Sequence, residues 1–140
     1  MKTSTRIIRL ALCLAALPLA GVRAAPVAVD PAPETLWTPI KDDTYERRAH
    51  FEAGVNQLSA KLDDQIRILR AKRTAMTTDT KDWDFVMKEV DLYRSLLTSR
   101  MTDLAKATTP EAWDDAKDRV GEAWHGSQAA VDKMNTTRTS

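Results

Sequence analysis

The chain has 140 residues, of which 43% are hydrophobic and 29% are charged, and its formal net charge is +1. A chain of this length is expected to form one domain with a thin core. Such a charge gives no excess of cations, so the chain is a poor candidate for general nucleic-acid binding, which takes most of its affinity from neutralised phosphates.

The N-terminus has the pattern of a secretory signal peptide. Lys2, Arg6 and Arg9 form a charged region, residues 7–20 form an apolar run, and small residues lead to a cleavage site that ends at Ala24. The apolar run is shorter than the roughly 20 residues that a membrane-spanning helix needs. We therefore expect export by the general secretory route, cleavage after Ala24, and a periplasmic or secreted location.

Cleavage changes both the charge and the cysteine content. Cys13 is the chain's one cysteine and lies within the signal, so the mature chain is expected to have no disulfide. Removal of Lys2, Arg6, Arg9 and Arg23 leaves 17 basic and 20 acidic residues, a net charge of −3. Helix packing must then hold the domain together, and the acidic balance again argues against nucleic acid as a partner.

Residues 25–42 are rich in proline and small side chains, which predicts a flexible, extended segment. Trp37 is the exception within it. One interpretation is that Trp37 docks on one end of the folded domain. The other is that it is an exposed aromatic anchor for a partner or a membrane interface.

The first long helix is predicted over residues 43–76, with Asp43 or Thr44 as its cap. Its apolar residues recur three and four positions apart, which is the spacing of a coiled-coil seam. Gly54 lies inside the helix and is expected to weaken it by about 1 kcal/mol relative to alanine. The seam consists of Phe51, Val55, Leu58, Leu62, Leu69 and Met76.

The second helix is predicted over residues 80–107 and repeats the same spacing. The connection before it is only a few residues long, so the second helix must run antiparallel to the first. Its seam consists of Trp83, Val86, Val90, Tyr93, Leu97 and Leu104.

The third helix is predicted over residues 110–135. Thr109 can cap it, Pro110 suits the first helical position, and Glu111 complements the positive end of the helix dipole. Small residues dominate its seam, so we expect this helix to approach its neighbours closely. The seam consists of Trp113, Ala116, Val120, Ala123, Ser127, Ala130 and Met134.

The predicted fold class is therefore all-α. We expect an antiparallel three-helix bundle with coiled-coil-like packing at residues 43–135. It follows a cleaved signal peptide at 1–24 and a Pro-rich segment at 25–42, and a disordered tail at 136–140 ends the chain. The sequence leaves the oligomeric state open, and polar interruptions of long seams are compatible with a homo-oligomer.

A basic cluster marks the end of the first predicted helix and consists of Arg67, Arg70, Lys72 and Arg73. In one interpretation these cations complement the negative pole of the helix. In the other they meet an anionic envelope component or the acidic face of a protein. Together with Trp37, they are the residues that the sequence offers for binding a partner.

The sequence gives no sign of catalysis or of a cofactor. His50 and His125 fall too far apart along their helices to share a metal within one chain. Acidic residues on the third helix cannot wrap a cation as a calcium loop does. No nucleophile motif or phosphate-binding glycine loop is present, so we expect no enzyme, no cofactor and no metal site.

The leading hypothesis is an exported, non-enzymatic protein-interaction module of the bacterial envelope, acting as an adaptor or a holding chaperone on envelope proteins. A second hypothesis is a lipid-surface protein whose bundle opens onto a membrane interface, although its acidic balance opposes anionic lipids. A third is a bundle that carries a cofactor or a metal.

Overall fold

The structure is a computed structural model that describes residues 33–78 and 80–137. It consists of α1 (Pro33–Trp37), a 3-10 turn (Tyr45–Arg47), α2 (Arg48–Ala75), α3 (Thr80–Ala105) and α4 (Pro110–Thr137). The predicted all-α bundle is confirmed, and the described residues contain no strand. Within those same residues, no helix has the length and apolar character needed to cross a membrane.

Several sequence predictions fall on other parts of the chain. The signal peptide at 1–24, its cleavage after Ala24 and residues 25–32 of the Pro-rich segment lie outside the described residues. The same is true of residues 138–140, in the predicted tail. Residues 136 and 137 continue α4, so this helix ends two residues later than the apolar seam predicts.

The core follows the three predicted seams, because each long helix turns its apolar side toward the other two. Burying such a row of side chains is what stabilises helices in a small bundle. The side chains that are almost completely shielded from solvent are Phe51, Val55, Leu58, Leu62, Val90, Leu97, Leu104, Trp113, Val120, Trp124 and Met134.

The two helix starts differ. At α4 the expected cap is present, since Thr109 Oγ1 accepts a hydrogen bond from the backbone N–H of Ala112 at 3.2 Å. At α2 the hydroxyl of Thr44 instead donates to Glu46 Oε2 at 2.6 Å, and this hydrogen bond lowers the pKa of Glu46. The chain therefore makes a 3-10 turn first, and α2 begins at Arg48, later than predicted.

Residues 33–42 differ from the extended tether that the sequence predicts. They form α1 and a series of turns, and the side chains of Trp37 and Ile40 are buried. The prolines predict an extended segment, but Pro33 is the first residue of α1, a position that suits proline. Two apolar side chains three residues apart then supply a face that packs on the bundle. We call residues 33–43 the N-terminal strap.

Two glycines mark places where backbone and side chain come unusually close. A Cβ added to Gly54 in α2 would lie 2.6 Å from Cγ2 of Ile40, so the strap needs a glycine there. A Cβ added to Gly126 in α4 would lie 2.2 Å from Cε1 of Tyr93 in α3. The backbones of α3 and α4 run side by side along much of their length, as the small residues of the α4 seam predict, whereas α2 stands farther from α3.

Candidate interaction surface

Trp37 lies inside the domain, with 8% of its surface exposed. Its ring meets Phe51 edge-on at a centroid distance of 6.0 Å and an interplanar angle of 71°. On its other side it meets the imidazole of His125 at 5.6 Å and 77°. Of the two interpretations of Trp37, the structure therefore matches docking on the bundle, and the ring is not presented to solvent.

A buried carboxylate fixes the end of the strap. The side chain of Asp43 is 1% exposed, and its Oδ2 lies 2.6 Å from Nδ1 of His50 in α2. The backbone carbonyl of Asp43 accepts a hydrogen bond from Lys117 Nζ in α4 at 2.8 Å. Arg47 lies 3.3 Å from the other carboxylate oxygen. Asp43 thus ties the strap to two helices at once. The contact of Oδ2 with His50 and the ion pair with Arg47 compensate part of the burial of its carboxylate, whose Oδ1 accepts no hydrogen bond.

The basic cluster at the end of α2 is largely occupied by neighbouring carboxylates. Arg73 donates to both oxygens of Asp84 in α3, through Nε at 2.6 Å and Nη2 at 2.9 Å. Arg70 donates to Asp91 in α3 at 2.9 Å. The hydrogen bonds from Arg73 lower the pKa of Asp84, and the same contact raises the pKa of Arg73. These two arginines therefore join helices within the domain.

The other two members of the cluster contribute differently. Arg67 pairs with Asp64 on its own helix at 3.1 Å, and both side chains are largely exposed. Lys72 is half-buried. Arg67 is thus the member of the cluster that is most open to a partner.

A third ion pair between α2 and α3 was not predicted. Arg94 Nε lies 2.5 Å from Asp63 Oδ1, and its Nη2 lies 2.9 Å from Oδ2. The hydrogen bonds from Arg94 lower the pKa of Asp63. We call the three pairs, 63–94, 70–91 and 73–84, the Arg–Asp ladder. A sequence signal for it exists, because the residues after Leu62, Leu69, Trp83 and Val90 on the two seams are all charged.

The structure does not combine Trp37 with the basic cluster into one site. Phe51, which contacts Trp37, lies at the start of α2, and Arg70 lies 19 residues farther along the same helix. At about 1.5 Å per residue the two are nearly 30 Å apart. One small partner segment could not contact both.

Three large apolar side chains remain exposed in the described residues, and the sequence analysis did not identify them. They are Ile68 in α2, exposed by 49%, and Phe85 and Leu92 in α3, exposed by 69% and 64%. Phe85 and Leu92 are seven residues apart, so they lie on the same side of α3. The seam pattern does not include Phe85 and Leu92, because they lie on the side of α3 away from the core.

Phe85 lies among lysines. Lys133 Nζ in α4 is 5.9 Å from the Phe85 ring centroid and forms an ion pair with Glu89 of α3 at 2.7 Å. Lys81 and Lys88 are both exposed and fall four residues before and three residues after Phe85, so all three lie along one line of the helix. We call Lys81, Phe85, Lys88 and Leu92 the apolar–basic stripe.

The histidines and acidic residues do not converge on a metal site. Among the described residues, no group of three or more His, Cys, Asp and Glu side chains is placed to hold an ion. His50 pairs with Asp43, and His125 lies 3.8 Å from Glu34 beside Trp37. His50 also lies 3.2 Å from Nη2 of Arg47.

Comparisons with protein-family models, with curated protein sequences and with solved structures find no match to this chain.

Proposed function

We propose that this protein is a non-enzymatic interaction module that is exported to the bacterial cell envelope and binds proteins through the apolar–basic stripe of α3. The observation that supports this proposal is the exposure of Phe85 and Leu92 on one side of a helix. Exposed apolar side chains in register are typical of helix faces that pack against another helix. The lysines beside them add charge selectivity.

The proposal moves the binding surface away from the residues that the sequence first offers. Trp37 is buried, and Arg70 and Arg73 already bind carboxylates of α3. A partner would have to break those contacts before it could use them. Phe85 and Leu92 need no such rearrangement, because their side chains already reach solvent.

Site-specific photo-crosslinking in living cells tests the proposal. A photoreactive amino acid replaces Phe85, and a matched chain carries it at Ala60, an exposed position on α2. We expect protein adducts from position 85 and none from position 60. Equal adducts from both positions, or none from either, would contradict the proposal.

The identity of the crosslinked proteins also distinguishes an adaptor from a holding chaperone. A single stoichiometric adduct with a different protein indicates an adaptor, whereas a broad set of partly unfolded proteins indicates a holding chaperone. The lipid-surface alternative predicts a different result, because the chain would float with anionic vesicles and gain helicity there. Loss of flotation in a Phe85→Ser, Leu92→Ser variant would assign the same stripe to lipid.

A further inference from the structure

The exposed side of α4 carries the opposite charge to the apolar–basic stripe. Four carboxylates are spaced four, three and four residues apart, so they form one line along the first half of the helix. All four are exposed, and no ion pair within the described residues neutralises any of them. We call this line the acidic stripe, and it consists of Glu111, Asp115, Asp118 and Glu122.

Both stripes lie on the same face of the bundle, on the side away from α2. The contacts of Lys133 with Phe85 and Glu89 place the apolar–basic stripe along the border with α4. A groove between α3 and α4 is lined by Asp103 and Asp115, which places the acidic stripe along the same border. The Arg–Asp ladder occupies the opposite side of α3, where α2 packs.

The stripes occupy opposite ends of this face. Because α3 and α4 are antiparallel, the first half of α3 lies beside the last half of α4, as the contact between Glu89 and Lys133 shows. The acidic stripe belongs to the first half of α4 and therefore lies at the other end. The two stripes sit at diagonal corners of one surface, on different helices.

We propose that the partner of this face is a second copy of the same chain, in an antiparallel, two-fold symmetric dimer. A two-fold axis in the plane of the face, perpendicular to the diagonal, brings the apolar–basic stripe of each copy onto the acidic stripe of the other. The helices of the two copies then cross obliquely, as packed helices commonly do. Such an isologous contact closes on itself and stops at two copies.

The opposite charges of the two stripes favour a second copy of the chain as the partner. Lys81 and Lys88 form no ion pair within the described residues, although Lys88 acts electrostatically on Asp84. The exposed Asp82 offsets one of the two lysine charges, and the contact between Lys133 and Glu89 is balanced. The acidic stripe carries four negative charges, and Arg119 beside it offsets one. Each copy thus offers an excess of cations at one corner and of carboxylates at the other, and Phe85 and Leu92 supply the apolar surface between them.

This inference rests on the proposed function, since it names the partner of the same stripe. Sedimentation velocity of the mature chain tests it up to roughly 100 µM, where interfaces of modest area associate. We expect a concentration-dependent dimer that dissociates as salt is raised from about 0.1 to 0.5 M, because exposed charges are then screened. A wild-type chain that stays monomeric overturns the inference.

A charge-swap pair gives the sharper test. Lys81→Glu with Lys88→Glu makes both stripes acidic. Asp118→Lys with Glu122→Lys leaves the apolar–basic stripe unchanged and removes the net negative charge of the acidic stripe. All four positions are exposed on helices, so folding is checked by circular dichroism. We expect each variant alone to dimerise at least about tenfold more weakly, and an equimolar mixture to recover the dimer. Variants that remain monomeric when mixed overturn the inference.

A charge reversal outside the face serves as the matched control. Arg67→Glu changes an exposed residue of α2 and should leave dimerisation unchanged. If the wild-type chain is monomeric but position 85 still crosslinks to a different protein in cells, the dimer is overturned and the interaction function stands. If the chain is monomeric and position 85 captures no protein, both are overturned.

Discussion

Helix α3 packs against its two neighbours in different ways. Against α4 the backbones lie close together, and Gly126 leaves room for the ring of Tyr93. Against α2 the separation is larger, and the flank of the contact is spanned by the Arg–Asp ladder. The α3–α4 contact therefore depends on the lack of a side chain at Gly126. The α2–α3 contact is bridged by long arginine side chains that reach carboxylates of the other helix.

The two contacts contribute differently to the stability of the bundle and to the alignment of its helices. Close packing of small residues stabilises strongly but tolerates no added volume. Partly exposed ion pairs stabilise weakly, yet opposite charges in register favour one alignment of two helices over a shifted one. We infer that the α3–α4 contact supplies more of the stability, while the ladder sets how α2 aligns with α3.

The largest effect is expected at the close contact. In an ordinary helix, Gly→Ala stabilises by about 1 kcal/mol, but Gly126→Ala places a Cβ 2.2 Å from the Tyr93 ring. Overpacking of this kind costs about 1–3 kcal/mol. We therefore expect a net loss of up to about 2 kcal/mol in the free energy of unfolding, measured by urea denaturation.

The control removes the obstructing ring. In a Tyr93→Ala background, Gly126→Ala should become stabilising by about 1 kcal/mol, because only the helix propensity remains. If Gly126→Ala has the same effect with and without the ring, the close contact is not what makes a glycine necessary there.

A smaller effect is expected at the ladder. Asp63 and Arg94 are 54% and 27% exposed, and such pairs contribute less than about 1 kcal/mol. A double-mutant cycle of Asp63→Asn and Arg94→Gln isolates the pair from the bond that Arg94 also donates to Thr98 Oγ1. The coupling energy should shrink in about 1 M salt. A salt-independent coupling well above 1 kcal/mol would reverse our ranking of the two contacts.

The smallest effect is expected in how the stability contributed by the ladder changes at acid pH. Arg94 and Arg73 lower the pKa values of Asp63 and Asp84 in the folded chain, so below about pH 4 the unfolded chain binds more protons. The stabilisation from these pairs is complete above about pH 5 and is lost as pH falls through the lowered pKa values. We expect urea midpoints between about pH 5 and 2 to fall less steeply in Asp63→Asn than in wild type, and identical slopes would contradict this prediction.

The sequence predicts the three long helices well because their seams repeat over many turns. It predicts the small-residue packing of α4 for the same reason, and the cap at Thr109 from a local motif. It does not predict the strap. Trp37 and Ile40 are only two apolar residues among prolines. The burial of Ile40 depends on space at Gly54, which the sequence shows merely as a weak point of a helix, and Trp37 closely approaches Gly121.

The candidate surface was harder to predict than the fold. Exposed residues such as Phe85 and Leu92 have no periodic pattern of their own, because they are recognised only after the core is known. The basic cluster illustrates the converse. In the sequence, Arg70 and Arg73 have no evident carboxylate partner and so look free to bind another molecule. The packing of α3 against α2 brings Asp91 and Asp84 to them.

The strap also has a consequence for the order in which the fold is completed. Lys117 and Asp43 are 74 residues apart in the chain, yet they share a hydrogen bond, and Trp37 contacts His125 of α4. These are contacts of high sequence separation, which form late because a long loop must close first. A chain that is synthesised or translocated from its N-terminus therefore has Phe51, one partner of Trp37, early, but lacks its α4 partner His125 until most of the chain has emerged. For the export proposed above, the strap would therefore dock only after the three long helices have been made.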